Sequence, residues 1–237
     1  MKSIRGTRRG RALASLAGTA LALGMLTACS STPAPAPAAS SPAASSVAPM
    51  PKAATFLADM PEPDGTTMTM AVTVEDGKAV AYATNGTDVD AYFFGTEANG
   101  KIDLMSMYAD NITASFDGTK LSGEMAMNEK GAAPVNFTAA SVAAPAGIYT
   151  ATHNNARASF IVRPDQSMVG LMDNRAPGDH RVSDAAAARD QQFKDSVRQM
   201  RLDRQMQPAP VMTYGTWSVD MHGESVTAVR VTGDMTM

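Results

Sequence analysis

Five turn dipeptides, Asp76-Gly77, Asn85-Gly86, Asn99-Gly100, Asp117-Gly118 and Lys130-Gly131, cut residues 66–139 into a ladder of short segments. Asx-Gly pairs tolerate the positive φ that tight hairpin turns demand. Between the turns apolar residues alternate: Met68, Met70, Val72, Val74; Val80, Tyr82; Val89, Ala91, Phe93; Ile112, Ala114, Phe116. A period of two places each set on one face of a strand. Six or more such strands with one apolar face must curl into a barrel or pack on another layer. The expected fold class is therefore mainly β, an antiparallel meander curled into a barrel or sandwich, with one helix in the C-terminal half.

Beyond an Ala/Pro-rich joint at 139–147, strands are expected at 148–153, 158–163 and 168–172, with Pro164-Asp165 turning the last pair. A helix is expected at about 183–206. Ser183 or Asp184 caps it, Ala185, Ala186, Ala187 and Ala188 favour it, and Pro208 and Pro210 end it. Its apolar stripe is Ala186, Phe193, Val197 and Met200, beside an i,i+4 pair of Asp190 and Lys194. Residues 211–219 and 225–231 read as a final hairpin across His222-Gly223. The folded part thus divides into a meander at 55–140 and a second β-rich part at 141–237, packed with the first.

Two segments precede it. Lys2, Arg5, Arg8, Arg9 and Arg11 lead into an apolar run at 12–26, too short for a comfortable membrane span. That run ends in Leu26-Thr27-Ala28-Cys29, the pattern read by bacterial lipoprotein processing, and Cys29 is the one cysteine of the chain. Residues 1–28 are therefore expected to be a lipoprotein signal peptide and Cys29 the lipidation site, with Sec export as the default. Thr7-Arg8-Arg9 resembles a twin-arginine signal, although the residues after it fit poorly. Residues 29–54, dominated by Pro, Ala and Ser, read as an extended tether. The expected location is the extracytoplasmic face of the cell membrane, held by an N-terminal lipid.

Loss of 1–28 removes five of the 20 Lys and Arg and no acid, leaving 15 basic against 23 acidic residues and a formal charge of −8. That balance disfavours nucleic acid as a partner. The partners expected are the membrane, through the anchor, and an apolar small molecule; no cofactor is expected.

Several phrases carry a resemblance. They are residues 76–82 (DGKAVAY), 89–92 (VDAY), 146–149 (AGIY), 161–170 (IVRPDQSMVG) and 226–231 (VTAVRV). These resemble a group of actinobacterial secreted or lipid-anchored β-rich proteins, over most of 66–237 except the helical stretch. The resemblance implies an exported β-rich fold and carries no catalytic residue across.

The chain contains no Gly-x-Ser-x-Gly, Ser-x-x-Lys, His-Glu-x-x-His or phosphate-cradling glycine loop, so a non-enzymatic binding or structural module is expected. The most unusual local feature is a recurrent Met-x-Met, at Met68/Met70, Met105/Met107, Met125/Met127 and Met235/Met237. Three readings stand open. Methionine fills irregular gaps in a core; or it lines an apolar ligand pocket; or thioethers such as Met105, Met107 and Met221, with His222, hold Cu(I). The polar loop at 173–181, with Arg175 and His180, is the expected rim of any binding site. Asp88 and Asp90, sharing a face with Tyr92 and Phe94, read as a solvated strand edge rather than an acid–base pair.

Overall fold

A computed structural model describes residues 48–62, 65–174, 191–204, 206–213 and 215–235. Cys29, most of the tether, Arg175, His180 and the expected start of the helix lie outside the described residues.

Eight strands follow one another around a closed barrel. They are β1 (Ala53–Pro61), β2 (Thr67–Glu75), β3 (Lys78–Thr84), β4 (Asp90–Ala98), β5 (Lys101–Ser106), β6 (Asn111–Phe116), β7 (Lys120–Ala126) and β8 (Val135–Ser141). Each pairs antiparallel with the next, and β1 returns to β8 through Phe56↔Ser141 and Leu57↔Ala140. Asp76-Gly77 and Asn99-Gly100 take positive φ at both positions, as two-residue hairpins with right-handed strand twist require. Asn85 and Asp117 act differently. Their side-chain oxygens accept the N–H groups of Thr87, Asp88 and Val89 and of Thr119 and Lys120, building wider Asx loops.

An eight-stranded barrel has an interior just wide enough for side chains to fill. Here the filling is Phe56, Met60, Met68, Met70, Val72, Phe93, Leu104, Ile112, Phe116, Leu121, Met125 and Phe137. Two glycines let the strands come close. A Cβ on Gly95 would meet the Asp103 carbonyl oxygen at 2.1 Å, and one on Gly123 would meet the Thr113 carbonyl oxygen at 2.0 Å. The outer face of β5 to β7 alternates exposed Lys101, Asp103, Thr113, Ser115 and Ser122 with these buried positions. An apolar interior with a polar exterior is the reverse of the lipid-facing pattern of outer-membrane barrels.

On one side the outer face is apolar and covered. Ala71, Val80, Tyr82 and Tyr92 pack against Val231 and against Ile148 and Ile161 of a second sheet. That sheet is formed by β9 (Gly147–His153), β10 (Ala156–Val162), β11 (Met168–Asp173), β12 (Met206–Pro208) and β15 (Val229–Arg230), in the order β12-β11-β10-β9-β15. Its far face shares a core with the hairpin of β13 (Ser218–Met221) and β14 (Glu224–Thr227), built from Tyr149, Phe160, Met172, Val219 and Met221. No helix among the described residues is long and apolar enough to cross a membrane.

Four expectations change. β1, assigned partly to the tether, is the strand that closes the barrel. Val80 and Tyr82 face outward to the second sheet, and Ala79, Ala81 and Ala83 face the barrel interior. The helix α1 (Gln191–Leu202) stops short of 206, because Met206 already pairs with Asp173. The closing segment is not one long hairpin: β15 leaves β14 at Ala228 and joins β9 through Val229↔Thr150. These last two departures share a cause, since an exposed strand edge offers backbone partners that a local pattern does not reveal.

Candidate functional site

The charged residues of greatest burial gather where α1 meets the barrel and the second sheet. Asp90 opens β4 on the barrel's outside. Its Oδ2 accepts from Arg157 Nη2 of β10 at 3.0 Å and from Arg204 Nη2. Arg204, just beyond α1, also donates to the Asp90 carbonyl at 2.7 Å and to Asp173 Oδ2 from Nε at 2.9 Å and from Nη2 at 2.6 Å. Arg157 lies 5.1 Å over the Tyr92 ring, which in turn packs 4.6 Å from Tyr82.

A second arginine of the same helix end makes a parallel insertion. Arg201 Nη2 reaches both carboxylate oxygens of Asp110 at 2.7 Å, and its Nε lies 2.6 Å from Glu129 Oε1. Asp110 also accepts the Ser106 hydroxyl at 2.5 Å and the Asn128 N–H at 2.7 Å, while Ser106 Oγ accepts the N–H groups of Tyr108 and Asp110. The guanidinium stands 4.8 Å over Tyr108. This cluster fixes the β5–β6 turn against α1.

Burial works against ionised Asp90, but the charges of Arg157 and Arg204 prevail and hold its carboxyl below the usual range. Arg204 is likewise opposed by burial and held more firmly protonated by Asp90 and Asp173. Burial pushes the Tyr92 hydroxyl up to about 12 and that of Tyr82 well above its ordinary value. The result is a fixed set of ion pairs and neutral phenols. Enclosed and paired in this way, these residues clamp the end of α1 to the barrel and the second sheet.

What the clamp holds is informative. Asp173 ends β11 and Arg204 follows α1, 31 positions later, and their ion pair ties the end of the strand to the end of the helix. Asn174, the residue after Asp173, brings its Oδ1 3.0 Å from His222 Nε2. The end of β11 and the His222-Gly223 turn therefore meet.

Asp88 and Asp90 do not behave as a pair. Asp88 is exposed and receives a hydrogen bond from Asn85 Nδ2 at 2.9 Å, whereas Asp90 is buried, which corrects its reading as a solvated edge. Met105 lies on the barrel's outside and Met107 beyond the end of β5, 42% exposed. Met221 is sealed in the core beneath the second sheet, and His222 occupies the turn beside it. Met60, Met68, Met70 and Met125 fill the barrel. Arg157, Arg201, Arg204 and Asp110 were invisible as a site because they are scattered in sequence, with no motif to join them.

A comparison with family models, with curated proteins and with solved structures gives no match for this chain.

Proposed function

We propose that this chain is a lipid-anchored protein of the extracytoplasmic membrane face, whose β unit acts as a non-catalytic binding or structural module. The observation that carries the reading is Leu26-Thr27-Ala28-Cys29, with an apolar run before it and a Pro/Ala/Ser tether after it. Each acyl methylene placed in a bilayer contributes about 0.8 kcal/mol, so the two or three chains of a lipoprotein cysteine hold firmly. The barrel supports a module that faces water on its uncovered side, given the polar residues outside β5 to β7. The non-catalytic part is supported by the enclosed, arginine-neutralised carboxylates.

The test is mass spectrometry of the full chain made in its native host. The expected N-terminus is an acylated Cys29, and Cys29→Ser should carry no acyl chain and retain the leader. An unmodified Cys29 in the wild-type protein would sink the anchor.

A further inference from the structure

Five of the six described arginines have a carboxylate partner. Arg157 has Asp90, Arg163 has Asp59, Arg198 and Arg201 have Glu129, and Arg204 has Asp90 and Asp173. Arg230 of β15 has none among the described residues. It is half-buried nonetheless and held in place. Its Nη2 donates to Thr55 Oγ1 at 3.1 Å and to the Ala146 carbonyl at 3.0 Å, while its Nε is buried with no hydrogen-bond partner. The guanidinium crosses Gly147, where an added Cβ would stand 3.1 Å from both Nε and Nη2. A positioned guanidinium whose charge no described carboxylate matches calls for an anion, because a desolvated cation is costly unless paired.

Arg230 forms the shared wall of two clefts. One, of about 580 Å³, is lined mainly by apolar groups: Ala144, Pro145, Tyr149, Trp217, Ala228 and Val229. Tyr149 and Trp217 stack there at 4.9 Å and 3°, with the Tyr149 hydroxyl donating to the Pro145 carbonyl at 2.9 Å. Trp217 holds a φ of +53°, an unusual conformation for a bulky residue and one found more often where a site is built than elsewhere. The other cleft, of about 240 Å³, is polar. It contains Thr55, Thr73 and Glu75, and the Thr73 hydroxyl is buried without a partner. Glu75 is the one carboxylate lining it; it forms no ion pair with Arg230 and accepts the Gly233 N–H at 3.3 Å. Its charge places an incoming anion on the aromatic side of Arg230.

We infer that Arg230, Tyr149 and Trp217 form a binding site for a small amphiphilic carboxylate, with the carboxylate on the guanidinium and an aromatic or short aliphatic tail in the cleft. The site is independent of the lipid anchor and lies outside the barrel.

The probe is 4-phenylbutyrate, with 4-phenylbutyramide as its uncharged counterpart. Equilibrium dialysis against the full chain, on phosphatidylcholine vesicles, measures binding. Emission of Trp217, the single tryptophan of the sequence, localises it. Saturable binding of the carboxylate with a change in Trp217 emission is expected, and the amide should bind about tenfold more weakly or worse, as loss of a charge-assisted hydrogen bond implies. Arg230→Gln should weaken the carboxylate by a similar factor. Val229→Glu provides a second variant, since Val229 is 64% exposed at the cleft and an added charge there repels the ligand without disturbing a core. Absence of saturable binding overturns the inference. So does equal affinity for acid and amide, or undiminished affinity in a folded Val229→Glu protein.

Discussion

A single nitrogen of Arg201, Nη2, donates to both oxygens of Asp110, 91 positions earlier in the chain, at 2.7 Å each. Both side chains are almost wholly removed from solvent, at 5% and 0% exposure. A buried ion pair of this kind contributes little net stability over an apolar replacement, yet breaking it strands a charge. Its consequence here is positional. It fixes the last turn of α1 on the barrel, and Arg204, three residues on, fixes the chain that follows.

Removing one member of that pair should therefore cost far more than removing both. Arg201→Met is expected to destabilise the fold by about 3–5 kcal/mol, because Asp110 is left charged and enclosed. Adding Asp110→Asn should recover part of the loss, a coupling of about 0.5–3 kcal/mol in a double-mutant cycle. Urea unfolding of the four proteins checks it; strictly additive losses would show that the pair is not coupled.

Asp90 makes a prediction about acid. Its folded-state carboxyl is held below the ordinary value of 3.8 against the opposing effect of burial, chiefly by Arg157 and then Arg204. A depressed folded-state value means that the stabilisation is complete above the unfolded value and is lost as pH falls through the folded one. Stability should thus change little through this group near neutrality and decline below about pH 4, the unfolded value of an aspartate. Asp90→Asn should be less stable at pH 7 and show a shallower acid limb. Thermal melts across pH 2–7 measure both, and an unchanged acid limb would remove Asp90 from the account.

How far the sequence reached is clearest at two places. Period-two alternation and Asx-Gly turns are local signals, so β2 to β7 could be read directly. Closure could not. It depends on β1, which begins inside the Ala-rich tether and has no turn dipeptide to set it off, and on its meeting with β8, some 80 residues away. The charge clamp was illegible for the same reason. Asp90, Asp110, Asp173, Arg157, Arg201 and Arg204 come from six separate positions, and only the packing of α1 and two sheets brings them together. Asp173 ends β11, and its pairing with Arg204, 31 positions on, carries no sequence signature.

The strand crossing at Gly123 predicts a steric limit. A methyl group there would lie 2.0 Å from the Thr113 carbonyl oxygen and 2.5 Å from Ala114 Cβ, both on the neighbouring strand β6. Neither is the free end of a flexible side chain. Gly123→Ala should therefore destabilise by at least about 1–3 kcal/mol, the usual cost of overpacking. Gly131→Ala meets no atom within 4 Å, so its cost reflects only the positive φ of 81°. Comparing the two denaturation midpoints separates crowding from backbone strain, and equal losses would contradict the close approach at Gly123.

The methionines divide by position, and substitution should expose the division. Met70 is 0% exposed among Phe and Val side chains inside the barrel, whereas Met107 is 42% exposed beyond β5. Met70→Ala should cost about 2–5 kcal/mol, the loss of transfer energy plus a cavity. Met70→Leu nearly conserves volume and should cost less than about 1.5 kcal/mol. Met107→Ala should stay within about 0.5 kcal/mol, as surface changes do. A thioether used as a ligand would respond differently, since leucine supplies volume without sulfur. If Met70→Leu were as damaging as Met70→Ala, shape filling would not explain why methionine stands there, and the sulfur itself would need a role.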